Sequence, residues 1–224
     1  MHRTYFYHFE TKSWPLYWLM FGYIVLGWLW PVVGWALLFY IIGTIITAFR
    51  RGRWWCGHVC PRGNFYLHLL SKYSPHHKIP PFARSFWFRL FVLLLVFSSF
   101  GLRMYHVWGD WSAMGGVFWL LFDTTTVIGI VLSFVYAPMM WCSFCPIGTL
   151  AAWAAPKKMP LPMSFPSVKV GEKCEGRCKT CARVCPMQLR PYESKCKVEG
   201  YLNPDCFKCR KCVKACPSRA MILL

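Results

Sequence analysis

The chain has 224 residues, among them 13 Trp, 18 Phe and 13 Cys, and a formal net charge of +18. Its mean hydropathy is positive, which suits a bilayer and argues against an ordinary soluble core. The positive charge does not describe a nucleic-acid binder. Most of the basic residues flank apolar spans, where they set topology and touch anionic lipid, or flank cysteines, whose thiolates offset them.

No charged residue occurs between Trp14 and Phe49. That stretch is too long for one helix crossing ~30 Å of hydrocarbon at ~1.5 Å per residue. Gly27-Trp28-Leu29-Trp30-Pro31 supplies a turn, with tryptophans suited to the interface, so two helices are expected in a hairpin. A third span is expected from about residue 85 to 102, interrupted by Arg89, and a fourth from about 115 to 140, with Asp123 inside it. Four transmembrane helices are therefore predicted in residues 1–160. The first 13 residues hold Arg3, Glu10 and Lys12 and lack the pattern of a cleavable signal peptide. Arg50, Arg51, Arg53, Arg62, Lys72, Lys78, Arg84 and Arg89 fall between or beside spans two and three, whereas Arg103 stands alone between three and four. Both termini and the central loop are accordingly expected on the cytoplasmic side of a multi-pass inner-membrane protein.

Where spans two and four reach that side, two related stretches occur: Trp55-Cys56-Gly57-His58-Val59-Cys60-Pro61-Arg62-Gly63 and Trp141-Cys142-Ser143-Phe144-Cys145-Pro146-Ile147-Gly148. Each follows a hairpin, which gives an internal repeat of about 85 residues. Two copies related by an axis along the membrane normal bring the cysteine pairs face to face. Cys56, Cys60, Cys142 and Cys145 are candidates for a third iron–sulfur centre; two redox dithiols, a structural zinc or unligated buried cysteines are the alternatives.

Residues 161–224 carry two further runs, Cys174, Cys178, Cys181, Cys185-Pro186 and Cys206, Cys209, Cys212, Cys216-Pro217. The second has the C-x2-C-x2-C-x3-C-P spacing of bacterial two-cluster ferredoxins, and the first differs by one residue. Zinc sites usually separate two ligand pairs by a longer loop, and disulfides have no reason to repeat this spacing with a following proline. Two [4Fe–4S] clusters in an α+β ferredoxin-like domain are expected. The resemblance implies crossed ligation, with Cys216 joining Cys174, Cys178 and Cys181, and Cys185 joining Cys206, Cys209 and Cys212.

Taken together, the membrane helices, the paired Cys-Pro motifs and the two-cluster tail resemble membrane ferredoxins of the NapH/NosR type, quinol-oxidising subunits of respiratory systems. The chain is more distantly similar to CcoG-type polyferredoxins, and residues 56–66, CGHVCPRGNFY, are the closest stretch. The second membrane motif is one residue shorter than the family pattern. The resemblance implies an iron–sulfur electron-transfer subunit that exchanges electrons between the quinone pool and another redox subunit or ferredoxin-like protein. The alternative it leaves is a metal-reducing assembly factor. Candidate quinone or proton-handling groups are Asp123, an expensive intramembrane carboxylate, and His106 and Asp110 in the outer connection. His58 lies between two proposed ligands and is assigned a supporting role; His68, His76, His77 and Cys196 are read as structural or solvent-facing. No G-x-G-x-x-G, P-loop or Cys-x-x-Cys-His motif occurs, so neither nucleotide binding nor covalent haem is supported.

Overall fold

In a computed structural model, residues 16–155, 168–174, 176–194 and 203–223 are described. The first hairpin pairs α1 (Tyr17–Leu29) with a continuous rod formed by a 3-10 turn, Pro31–Trp35, and α2 (Ala36–Arg51). The break falls at Trp30, whose backbone is extended (φ −133°, ψ 95°). Pro31 causes it, because a proline ring pushes the preceding residue out of the helical region and then opens the next helix at no hydrogen-bond cost. Two short helices follow, α3 (Trp54–His58) and α4 (Pro61–His68). The second hairpin, α5 (Phe86–His106) and α6 (Trp111–Val135), is likewise followed by α7 (Met140–Phe144) and α8 (Pro146–Trp153).

Three of these rods are long and apolar enough to cross a membrane: Pro31–Arg51, Phe86–His106 and Trp111–Val135. The first of the four expected spans corresponds to α1, which is apolar but described over only 13 residues, since Trp30 divides the charge-free stretch unequally. Such a helix is ~20 Å long and falls short of the hydrocarbon core. The fourth span also ends earlier than expected, at Val135.

The repeat is expressed in packing. Each eight-residue helix rests on the first helix of its own repeat and the second helix of the other, α4 on α1 and α6, α8 on α5 and α2. This exchange is what a pseudo-two-fold produces. The tightest crossing lies at the turn end, where α6 meets the Pro31–Trp35 segment. A Cβ on Gly34 would stand 1.8 Å from the Gly115 carbonyl oxygen, and one on Gly115 would stand 2.5 Å from that of Pro31. Backbone touches backbone there, so only glycine fits. Around it, Trp35 Nε1 donates to the Trp111 carbonyl (3.1 Å), Trp119 Nε1 to that of Ile24 (3.2 Å) and the Tyr23 hydroxyl to that of Gly34 (3.3 Å). Trp28, Trp30, Trp108 and Trp111 remain exposed at this end, as an aromatic belt requires.

The C-terminal segment holds one antiparallel ribbon, β1 (Val168–Val170) against β2 (Met221–Leu223), and two four-residue helices, α9 (Thr180–Arg183) and α10 (Lys211–Lys214). The α+β domain expected from sequence is thus corrected to a loop segment clasped by a three-residue ribbon. Cysteine spacing dictates where the chain turns and leaves little length for regular elements.

Candidate metal centres

Cys56 and Cys142 occupy the same place, the third residue of α3 and of α7. Cys60 and Cys145 also correspond: each precedes a proline at the first position of an eight-residue helix, with similar backbone angles (φ −57°, ψ 114° and φ −50°, ψ 129°). The one-residue difference between the motifs is absorbed by Val59, a bridging residue between α3 and Cys60 that the second repeat lacks. The shorter spacing leaves the backbone at both cysteines alike, although only Cys60 Sγ caps its helix, accepting from Gly63 N (3.3 Å).

The four cysteines lie near one another at the repeat junction. Cys56 lies within electrostatic reach of Cys60 and Cys145, and Cys142 of Cys145, Cys60 and Cys56. Burial pushes the Cys56 thiol up to about 12, with Arg53 pulling against it, and raises Cys142 as well. Thiols buried like Cys56 and Cys142 ionise more readily against a strong positive charge, which a metal centre would provide. Among the described residues no three His, Cys, Asp or Glu side chains converge closely enough to share one metal ion. A single zinc would draw all four sulfurs to ~2.3 Å from one point. Soft sulfur donors are the ligand type of iron–sulfur centres as well as of zinc.

Two buried arginines from the first repeat reach into this group. Arg53, 1 % exposed, donates to the Cys142 carbonyl and to Asp205 Oδ1 (2.8 Å). Arg62 donates to Thr125 Oγ1 (2.7 Å) and to Cys145 Sγ (3.8 Å).

In the C-terminal segment, one cavity of about 200 Å3 is lined by Cys174, Cys178, Cys181 and Cys216. A narrower one is lined by Cys185, Cys206, Cys209 and Cys212. The chain thus brings together the sets that crossed ligation names. Equivalent positions in the two runs take up left-handed backbone, Lys179 and Arg210 after the second cysteine, Gln188 and Arg219 after the fourth. Left-handed non-glycine residues cost ~1–3 kcal/mol each and persist where a site demands them. They turn amide N–H groups toward sulfur: Lys208 N donates to Cys206 Sγ (3.4 Å), backbone amides of Leu189 and Met187 face Cys185, and those of Ala220, Met221 and Ser218 face Cys216. Loops that offer N–H donors to thiolates fit [4Fe–4S] ligation.

The Cys185–Cys206 side of this segment is docked on the membrane face. Asp205, next to Cys206, is gripped by Arg53 and by Arg89 of α5, both at 2.8 Å. Phe207 covers Gly57, between Cys56 and Cys60; a Cβ on Gly57 would stand 2.7 Å from that of Phe207. Gln188 accepts from Ile79 N and donates to the His77 carbonyl, each at 2.8 Å, and Arg84 donates to the Met187 carbonyl. Phe207, Met187 and Leu189 share a core with Trp141, Cys142 and Phe144, whereas Cys174 and Cys181 lie in a separate one with Val168 and Val170.

The other candidates lie elsewhere. Asp123 is half-buried on α6, outside the hydrogen bonds that link Thr125 and Thr126 to α4. His106 is exposed at the end of α5. Asp110 caps α6, accepting from Ser112 N (2.9 Å) and Ala113 N (3.2 Å), which gives it a structural task. His58 stacks on Trp54 at 4.7 Å, with Nδ1 3.0 Å from the Trp54 carbonyl. His68 is half-buried, His76 and His77 are exposed, and Cys196 lies outside the described residues. Sequence reasoning missed Arg53, Arg62, Arg89 and Asp205. Two signals were available: arginines bracket the first motif but not the second, and Asp205 is one of only 8 acidic residues.

Residues 33–80 and 116–162 each match the 4Fe-4S binding domain. The two matches fall on the two membrane repeats and include Cys56 and Cys60 in one, Cys142 and Cys145 in the other. The chain is 30 % identical over 221 residues to the uncharacterized protein MJ0749 of Methanocaldococcus jannaschii, covering 88 % of this chain and 79 % of that protein. It is 23 % identical over 193 residues to MJ0750 of the same organism, covering 81 % of this chain and 76 % of the relative. No solved structure matches it. The chain belongs to the family of MJ0749 and is an iron–sulfur protein that carries the 4Fe-4S binding domain twice.

Proposed function

We propose that the chain is a membrane-bound electron-transfer protein that exchanges electrons between the quinone pool and a redox partner, as the quinol-oxidising subunit of a respiratory complex. Cys56, Cys60, Cys142 and Cys145 hold one [4Fe–4S] cluster; Cys185, Cys206, Cys209 and Cys212 hold a second; Cys174, Cys178, Cys181 and Cys216 hold a third. Such clusters supply one-electron transfer when bound. The observation that carries the reading is the docking of Asp205 and Phe207 against Arg53 and Gly57. It supports an order for the three cysteine sets of repeat junction, docked loop and exposed tip. One-electron carriers between a membrane and an external partner need that order.

The tip is suited to a partner. Cys178 is exposed, and Lys173, Arg177 and Lys179 join it in lining the open cavity. A basic rim favours an acidic carrier, such as a ferredoxin-like protein. The resemblance to NapH/NosR-type proteins supports quinol as the membrane-side donor, with Asp123 taking its protons. The basic residues beside the cysteine-bearing end support a cytoplasmic location for that end. Quinol added anaerobically to the purified, oxidised protein is expected to bleach the cluster absorbance, and Asp123→Asn to slow the bleaching. Reoxidation by copper with no response to quinol would instead favour a metal-reducing assembly factor.

A further inference from the structure

Arg62 is 8 % exposed in the first turn of α4. Its guanidinium carbon sits 5.2 Å over the Phe122 ring and 5.7 Å over that of Trp141. Thr125 anchors one nitrogen at 2.7 Å, and the other points to Cys145 Sγ at 3.8 Å. The ion pairs found among the described residues are Arg53–Asp205, Arg89–Asp205 and Arg190–Glu193, so no described carboxylate pairs with Arg62. A buried guanidinium without a counter-charge is strongly unfavourable. The titratable groups that face it are Cys145, Tyr66, Cys60 and Cys142. Tyr66 is buried and hydrogen-bonded through its hydroxyl to the Thr126 carbonyl, as a neutral phenol is. Among the described residues the sulfurs are the groups left to supply a counter-charge.

Arg53 differs, because it holds a carboxylate, Asp205, which it shares with Arg89. Arg62 also has no counterpart in the second repeat, where Ile147 stands between Pro146 and Gly148. Two buried cations of the first repeat thus face the four cysteines, and of these Arg62 is the one with no carboxylate partner among the described residues. Resting on the reading that these cysteines hold a cluster, we infer that Arg62 sets the reduction potential of the repeat-junction centre. One-electron reduction adds one negative charge and no proton; a fixed cation a few ångströms away stabilises that state and raises the potential. Arg62 acts through Cys145 and through its charge, as a positioning residue.

The test is an anaerobic redox titration followed by EPR, with iron and sulfide counting, on the full chain in detergent. Arg62→Gln is expected to lower the midpoint of one signal by ~59 mV or more, a tenfold change in a one-electron equilibrium, and to leave the other two unmoved. Arg62→Lys, which keeps the charge, is expected to retain both the iron and most of the potential. Unchanged midpoints in Arg62→Gln with full iron, or an equal shift of all three, overturn the inference. A Lys variant that loses iron or potential as Gln does overturns it too. The cluster assignment is checked apart from this: if Cys56→Ser with Cys142→Ser keeps wild-type iron, that reading fails and not the role of the charge.

Discussion

Asp205 is the residue on which two buried guanidiniums depend at once. Burial alone would raise its carboxyl, but Arg53 and Arg89 outweigh that and hold it below the usual carboxylate range. A depressed carboxylate contributes stability that is complete above its unfolded pKa of ~3.9 and is lost as pH falls through the lower folded value. Docking of the C-terminal segment is therefore expected to be insensitive to pH above ~5 and to loosen only in strong acid. Asp205→Asn removes the charge at every pH and leaves two arginines uncompensated, a change of the kind that costs ~3–5 kcal/mol. Limited proteolysis is expected to release residues 168–223 as a fragment far faster in that variant than in the parent protein. Equal cleavage rates would show that the arginines do not hold the segment. None of this was legible in the sequence, because Arg53 and Asp205 are 152 positions apart and no periodicity links them. The cysteines themselves were legible, since each run writes its own spacing.

At the scale of elements, the hairpins and their turns could be read, but not their lengths. Pro31 marked the break, yet charge-free sequence on both sides gave no sign that α1 would be the shorter arm. The repeat was visible in Trp-Cys and Cys-Pro-x-Gly; the exchange of α4 and α8 between repeats was not, since it depends on packing across the pseudo-axis. The contact between Gly34 and Gly115 fixes how closely the hairpins approach at the turn end. Gly115→Leu forces backbones apart with no flexible side chain to yield, so a loss of several °C in the melting temperature in detergent is expected. Gly101, whose added Cβ meets nothing within 4 Å, serves as the control, and Gly101→Leu is expected to leave the melting temperature nearly unchanged.

For the whole molecule, the turn at Trp30 and the connection between α5 and α6 share one end, and all twelve described cysteines belong to the other. A reporter inserted at Gly109, in an exposed turn with φ +100°, is expected to read the outer compartment. The same reporter at exposed Lys78 is expected to read the cytoplasm. Matching signals from both positions would invalidate the assigned orientation. Charge placement is the basis of this expected orientation, whereas the proposed order of the three cysteine sets rests on the docked contacts.

The pseudo-symmetry stops at one telling place. A single repeat brings two of the four junction cysteines, so it is half a site, and two identical copies would complete it as a symmetric pair. Such a pair would present two equivalents of Arg53 and hence two places for an Asp205-bearing segment. In this chain Met139 stands where the second Arg53 would be, and a methionine cannot grip a carboxylate. The divergence of Arg53 and Met139 thereby leaves the junction one docking place for such a segment, so a relay of the kind proposed would have a single, unforked exit.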